Sequence, residues 1–205
     1  MMYNKRKKLF VRTLLLGAAV ILSSSCTIFP SRASYYYALE YSAPEATVEA
    51  VELGVVRVFE PNVSSAYNRR QIVVRDGSPR FQYLTDDMWA IDLVDTLQEF
   101  IERYVHDAGT FSEVIGEFSP LPADFEIYSA IRRLEFLCCD TPEARAEIVF
   151  ELRRPDGQVL VREEFRRNEA LEAGDLVAYA WGANALLLEA VAEFDQRIRD
   201  HFAGQ

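Results

Sequence analysis

Between residues 144 and 165 the chain alternates strictly enough to fix its local geometry. Ala144, Ala146, Ile148, Phe150 and Leu152 take every second position, with Arg145, Glu147, Val149, Glu151 and Arg153 between them. A period of two sends the two sets to opposite faces of a strand, so one face faces a core and the other is charged and faces water. Pro155-Asp156-Gly157 then turns the chain into Val159, Val161 and Phe165, which predicts a hairpin with one face on the core.

Two segments of helical period supply the cover that such a face requires. Leu93, Leu97, Phe100, Ile101 and Tyr104 share one helical face, with Asp86 or Asp87 available as a cap and Gly109 as a stop. A longer helix closes the chain. It starts near Asp175 and buries Leu176, Ala180, Ala183, Leu187, Val191, Phe194 and Ile198, with Glu189, Glu193, Gln196, Arg197 and Asp200 on its other face. Further strands are expected at 35–41, 55–59, 71–75, 81–83, 111–114 and 125–136, the third and fourth flanking the turn Asp76-Gly77-Ser78-Pro79. The expectation is a single α/β domain over 35–205. It has a mixed sheet of about six to eight strands covered by two main helices, in the order strands, helix, strands, helix.

The start of the chain has a different character. A basic opening, Lys5-Arg6-Lys7-Lys8, precedes an apolar run from 13 to 22 and three serines directly before Cys26. The run falls short of the roughly 20 apolar residues that a membrane span needs, so 1–25 reads as an export signal removed after use. A cysteine directly after the small residues looks like a lipobox, although Leu22 stands one residue further out than usual. Cys26 is therefore expected to carry diacylglycerol and a further acyl chain, with 26–34 as a tether and several chains making a durable anchor. The alternative is an ordinary secretory signal with an incidental cysteine. Five basic residues and no acid leave with the signal, which takes the net charge from −10 to −15. So acidic a domain lacks the footprint for nucleic acid and is repelled by anionic lipid, leaving the covalent lipid as its source of membrane affinity.

Candidate chemistry is sparse. Cys138-Cys139 reads as two thiols, at least one of them buried beside Phe136 and Leu137, with a vicinal disulfide or a redox role as the alternative. His106 and His201 each lie near the end of a helix, where the macrodipole favours them. Asp86, Asp87, Asp92 and Asp95 straddle several faces of a helix start and do not converge on a cation. With no nucleophile elbow, phosphate loop or paired-histidine metal motif, no enzyme, metal or cofactor is expected apart from the lipid on Cys26. Two features could serve binding. Arg69, Arg70, Arg75 and Arg80 gather charge around one hairpin, either paired locally with Asp76, Asp86 or Asp87 or offering Arg70, Arg75 and Arg80 to headgroups or an acidic partner. Tyr36 points away from Tyr35 and Tyr37, so part of this aromatic area is open to a partner unless both faces are covered.

The order of several short elements resembles the ABC-type transport auxiliary lipoproteins, periplasmic companions of ABC transporters that use Mce-domain proteins. They are Tyr35-Tyr36-Tyr37-Ala38-Leu39, Tyr67-Asn68-Arg69, Ile72-Val73-Val74-Arg75, Tyr83, Met88-Trp89-Ala90, Gly109-Thr110-Phe111 with Val114, Ala123-Asp124 and Leu134-Glu135-Phe136. The family's frequent proline after Trp-Ala is replaced by Ile91-Asp92-Leu93, and Cys138-Cys139 lies outside the pattern. The resemblance implies a lipid-anchored α/β domain that helps move lipids or other hydrophobic molecules between the two membranes without doing chemistry. Its implied partners are an Mce-domain protein and the ABC permease/ATPase complex, with a homo-oligomer as a further possibility. Thr27 in place of the aspartate that retains lipoproteins in the inner membrane favours the periplasmic face of the outer membrane. The rival readings are a standalone carrier or sensor of an apolar ligand, needing an enclosed pocket of about 300 Å³ or more, and a lipoprotein activator of a cell-wall enzyme.

Overall fold

One thirteen-residue strand, Phe125–Leu137, organises the sheet. The structure is a computed structural model that describes residues 33–44 and 50–204; the expected signal 1–25, the expected acylation site Cys26 and residues 27–32 of the expected tether lie outside them. Among the described residues the order is β1 Tyr35–Tyr37, β2 Val55–Val58, β3 Asn62–Val63, β4 Gln71–Arg75, β5 Gln82–Trp89, α1 Leu93–Asp107, β6 Glu113–Gly116, β7 Phe125–Leu137, β8 Glu143–Arg153, β9 Val159–Ala170 and α2 Leu176–Ala203. All lie in one unit, Ser34–Gln205. The mixed α/β architecture and element order are those expected. The sheet has nine strands because β3 is only two residues long and leaves no alternation to read.

Along one edge β7 pairs antiparallel with β8 from Glu126↔Arg153 to Leu137↔Glu143, and β8 pairs antiparallel with β9. Along the other edge three short strands take turns in parallel: β2 at Phe125–Ile127, β3 at Ala130 and Ile131, and β4 at Phe136 and Leu137. The sheet then branches, to β6 beside β2 at one end and to β5 and β1 beside β4 at the other. A register shift between Ile131 and Arg133 changes the phase of β7. Phe125, Ile127 and Ile131 face the core before it, Leu134 and Phe136 after it, so an extra residue keeps a long strand's apolar side inward.

Both helices lie on one face, α2 over β8 and β9 and α1 over β6, β2 and β3. Aromatic contacts run the length of α2: Tyr179 on Phe136 at 5.3 Å and on Trp89 at 5.6 Å, Phe194 on Phe150 at 4.9 Å, Phe202 on Phe125 at 5.5 Å. Near its start the α2 backbone comes so close to β8 that a Cβ on Gly182 would stand 3.1 Å from Ala144 Cβ and 2.7 Å from Leu171 Cδ2. The opposite face of β7, β8 and β9 carries cross-strand charge. Arg162 bonds Glu151 and Glu164, Arg166 bonds Glu147 at 3.1 Å, and Arg132 lies 3.9 Å from both Glu147 and Glu164. This is the two-sided hairpin that the alternation requires.

The helix ends differ from expectation in one respect. Asp175 caps α2 as expected, its Oδ1 accepting from the Ala178 N–H at 2.8 Å. Asp86 and Asp87, by contrast, lie inside β5, whose last residues pair with β1, and Asp92 takes the cap position of α1 without a side-chain bond. The strand runs on because β4 and β1 both offer it backbone partners. Gly109 stops α1 at φ +66°, with its N–H on His106 O and the Thr110 N–H on Val105 O, a Schellman ending.

Beyond that turn the two helices are locked by a buried ion pair. Arg199 Nε donates to Asp195 Oδ2 at 2.7 Å and Arg199 Nη2 donates to Ala108 O at 2.6 Å and to Thr110 Oγ1, whose hydroxyl donates to Asp195 Oδ1. The two charged side chains are 7% and 4% exposed. At this burial a charge left without its partner costs about 3–5 kcal/mol, while an apolar pair of similar volume can be neutral. Arg199→Met and Asp195→Leu should therefore each destabilise the fold by about that amount, and the double substitution by clearly less than their sum. Urea unfolding of the four proteins measures the coupling; additive losses would contradict it.

Candidate functional site

Strand β4 divides the arginine group that is contiguous in sequence. Arg70 precedes it and Arg75 ends it, about 17 Å apart for five residues of strand. At the turn end, Arg75 Nε and Nη2 donate to Ser78 O at 3.2 and 2.7 Å. Its guanidinium lies 4.4 Å over Phe81 and 3.7 Å from Glu135. Arg80 reaches Asp76 at 3.0 Å while remaining 82% exposed. Hydrogen bonds from Ser78, with the Arg80 charge adding to them, pull the Asp76 carboxyl down to about 2. At the other end Arg70 donates to Trp89 O and Ala90 O, lies 3.9 Å from Asp92, and sits 5.6 Å from the Tyr36 ring. Arg70 and Tyr36 thus meet, and Arg75 and Arg80 meet, on two separate surfaces.

The first surface surrounds a buried carboxylate. Tyr67 Oη donates to Glu135 Oε2 at 2.7 Å, and burial followed by that carboxylate holds the phenol well above its usual range. Arg75 and Arg133 approach Glu135 from its outer side. Arg69 lies 3.9 Å over Tyr83, which stacks with Phe81. The arginines here are held by aromatic faces and carbonyls, which leaves Arg80 as the projecting cation.

The second surface lies between the edge strand β1 and the first turns of α2. Tyr37 is tied down, its hydroxyl donating to Asp87 and pushed up to about 12 by burial and then by that bond. Tyr35 and Tyr36 are more than half exposed, as are Val177 and Trp181 on α2, Trp181 at 68%. A groove of about 220 Å³ runs between Tyr36, Ala38, Val177, Ala180 and Trp181. Beside it is a depression of about 550 Å³ lined by Leu171, Val177 and Trp181 and bordered by Glu169, Glu172 and Asp175; it is open to solvent, unlike the enclosed pocket of a carrier. The sequence reading missed Trp181. Its signal was available: Val177 and Trp181 are an i, i+4 apolar pair lying off the buried stripe of Tyr179, Ala183 and Leu187.

The remaining residues are placed as follows. Cys138 is half-buried and Cys139 exposed, so neither thiol is in the core as expected, because the chain leaves the sheet after Leu137 and passes through φ +87° at Cys139. Their Sγ atoms are 2.8 Å apart, and that contact, with burial, pushes the Cys138 thiol up to about 11. His106 lies 3.1 Å from Asp107 at the end of α1, and His201 packs edge-on against Phe202 in the last turn of α2. Among the described residues no group of three or more His, Cys, Asp or Glu is placed to hold a metal ion, and no helix is long and apolar enough to cross a membrane. The family-like residues are joints of the fold. Gly109-Thr110 makes the helix stop and the buried network, and Tyr67 holds Glu135. Trp89 packs on Tyr179, and Asp124 accepts from the Val55 N–H at 3.0 Å.

The family model for ABC-type transport auxiliary lipoprotein components matches residues 37–193. The chain is similar in fold to protein XCC0632 from Xanthomonas campestris, a DUF330 family structure, at 20% identity, covering 84% of this chain and 99% of that one with a TM-score of 0.72. A solved structure of an uncharacterised protein, 12% identical, covers 81% of this chain and 99% of its own with a TM-score of 0.62. No curated protein matches the sequence.

The two arginines of the turn should respond differently to substitution. Arg75→Ala removes a cation from beside Glu135, which is 4% exposed, and should cost about 1–3 kcal/mol. Arg80→Ala should change stability by less than about 0.5 kcal/mol, because its pair with Asp76 is exposed. Thermal unfolding distinguishes them; equal effects would mean that Glu135 does not depend on Arg75.

Proposed function

The chain belongs to the family of ABC-type transport auxiliary lipoprotein components, and from that premise we propose that it is the lipid-anchored accessory of an Mce-type ABC transport system. Acyl chains on Cys26 hold the domain at the periplasmic face of the outer membrane. The domain docks onto the Mce-domain protein and its permease/ATPase complex and assists movement of lipids or other hydrophobic molecules between the membranes. Its role is to bridge and to position, without chemistry and without a cofactor beyond its own lipid. Several copies around one partner are compatible with this role.

The observation that carries the reading is the extent of the family match, residues 37–193, which runs from the last residue of β1 to beyond the midpoint of α2. It takes in the surface around Glu135 and, apart from Tyr35 and Tyr36, the surface at Trp181. Electrostatics adds a local argument. A mature chain of net charge −15 repels acidic surfaces in general, so projecting cations such as Arg80 mark where an acidic partner can approach.

Affinity purification of the full lipidated chain from its native membranes should recover an Mce-domain protein together with permease and ATPase subunits. Recovery of the chain without any of them would overturn the assignment. Separately, cells fed radioactive palmitate should label the wild type and not Cys26→Ala, and the variant should move from the membrane to the soluble periplasmic fraction. Equal labelling of the two would exclude acylation at Cys26.

A further inference from the structure

The exposed aromatic surface lies at the point where the described domain begins. Tyr35 and Tyr36 are 61% and 57% exposed on β1, a strand that among the described residues pairs with β5 alone. Val177 and Trp181, 57% and 68% exposed, face Tyr36 across the groove. An apolar surface that includes an exposed tryptophan is unusual beside so acidic a domain and calls for something to cover it.

The covalent chain limits what that can be. Eight residues lead from Cys26 to Ser34, directly before β1. Fully extended they reach at most about 29 Å, less than the roughly 40 Å diameter expected for a globular domain of this length. Acyl chains in a bilayer would therefore keep the β1 side of the domain turned to that bilayer. Trp and Tyr are the side chains that partition to the headgroup level, with an apolar ring and a polar edge. The connecting segment itself contains two apolar residues, Ile28 and Phe29.

We propose that Tyr36, Val177 and Trp181 form a membrane-docking face that rests in the headgroup layer beside the lipid of Cys26. This rests on the lipid anchor of the proposed function and deepens it: the anchor fixes distance and the aromatic face fixes orientation. The chemistry of the lipid also follows. Glu40 lines the groove, with Glu172 and Asp175 beside it and Arg70, 5.6 Å from the Tyr36 ring, as the nearby cation. The face therefore suits zwitterionic headgroups and is weakened by anionic ones. A bilayer-facing surface here leaves Arg80, on the other surface, free for a protein partner.

The protein carries its own probe, since it has two tryptophans and Trp89 is 2% exposed. The full lipidated chain is reconstituted into phosphatidylcholine vesicles containing phosphatidylcholine brominated near the headgroup, and its tryptophan emission is read beside that of Trp181→Phe. We expect loss of most of the emission contributed by Trp181, no quenching of the Trp89 emission left in the variant, and weaker quenching when phosphatidylglycerol is added at low salt. A chain that floats with the vesicles while its Trp181 emission stays unquenched overturns the docking face and leaves the anchor standing. If Trp181 emission instead shifts with protein concentration, the surface joins copies of the chain, and the proposal fails. A chain that does not float with the vesicles removes the anchor and this proposal with it.

Discussion

The structure depends on the two different edges of β7. One edge offers β8 an uninterrupted antiparallel ladder, and the other is shared by three short strands that arrive in parallel one after another. A parallel strand needs a long crossover, and α1 with its flanking segments is part of that connection. Because β7 is thirteen residues long, a single phase error would turn half of it inside out. The shift between Ile131 and Arg133 prevents this by placing Leu134 and Phe136 on the side already taken by Ile127 and Ile131. The same shift sends Glu135 to the far side, where Tyr67 and Arg75 enclose it.

With the sheet fixed, the helices have one position in which their contacts agree. The aromatic rings of α2 settle on Phe136, Phe150 and Phe125, and Gly182 lets the helix approach β8 at Ala144. Burial of this kind is strong and tolerant of small displacement. The Asp195–Arg199 pair with Thr110 is less tolerant, since its bonds close only when the end of α1 and the last turns of α2 are in register. The aromatic packing thus contributes burial, and the buried pair adds a geometric condition that burial alone does not impose.

The same packing decides what remains outside. One face of the β7–β9 sheet is spent on paired charges, and the other is covered by helices. Among the exposed features that stand apart from both are the cationic turn at Arg80 and the aromatic groove at Trp181. The proposed bridging role would use two such surfaces, because an accessory that bridges must hold one thing while touching another.

Strict alternation in 144–152, the turn at Pro155-Asp156-Gly157, the Asp175 cap and the Gly109 stop are local consequences of residue type, and the sequence alone determined them. So it was with the mixed α/β class, since one-sided strands and amphipathic helices must cover each other. Legibility ended where the deciding partner was distant in the chain. Asp86 and Asp87 have the composition of a helix cap and became strand because β1, some fifty residues earlier, supplied the ladder. Arg70, Arg75 and Arg80 look like one patch and are two, because a strand separates its ends in space. Asp195 and Arg199 share the helical face of Val191 and Ile198, yet whether such a pair is buried depends on Thr110, brought to it only by the packing of two helices. Trp181 is an ordinary residue of a long helix until β1 is laid beside it. What is periodic can be read from the chain, and what is assembled from separate segments was decided by the tertiary structure, because no local free energy distinguishes a residue that will be covered from one that will not.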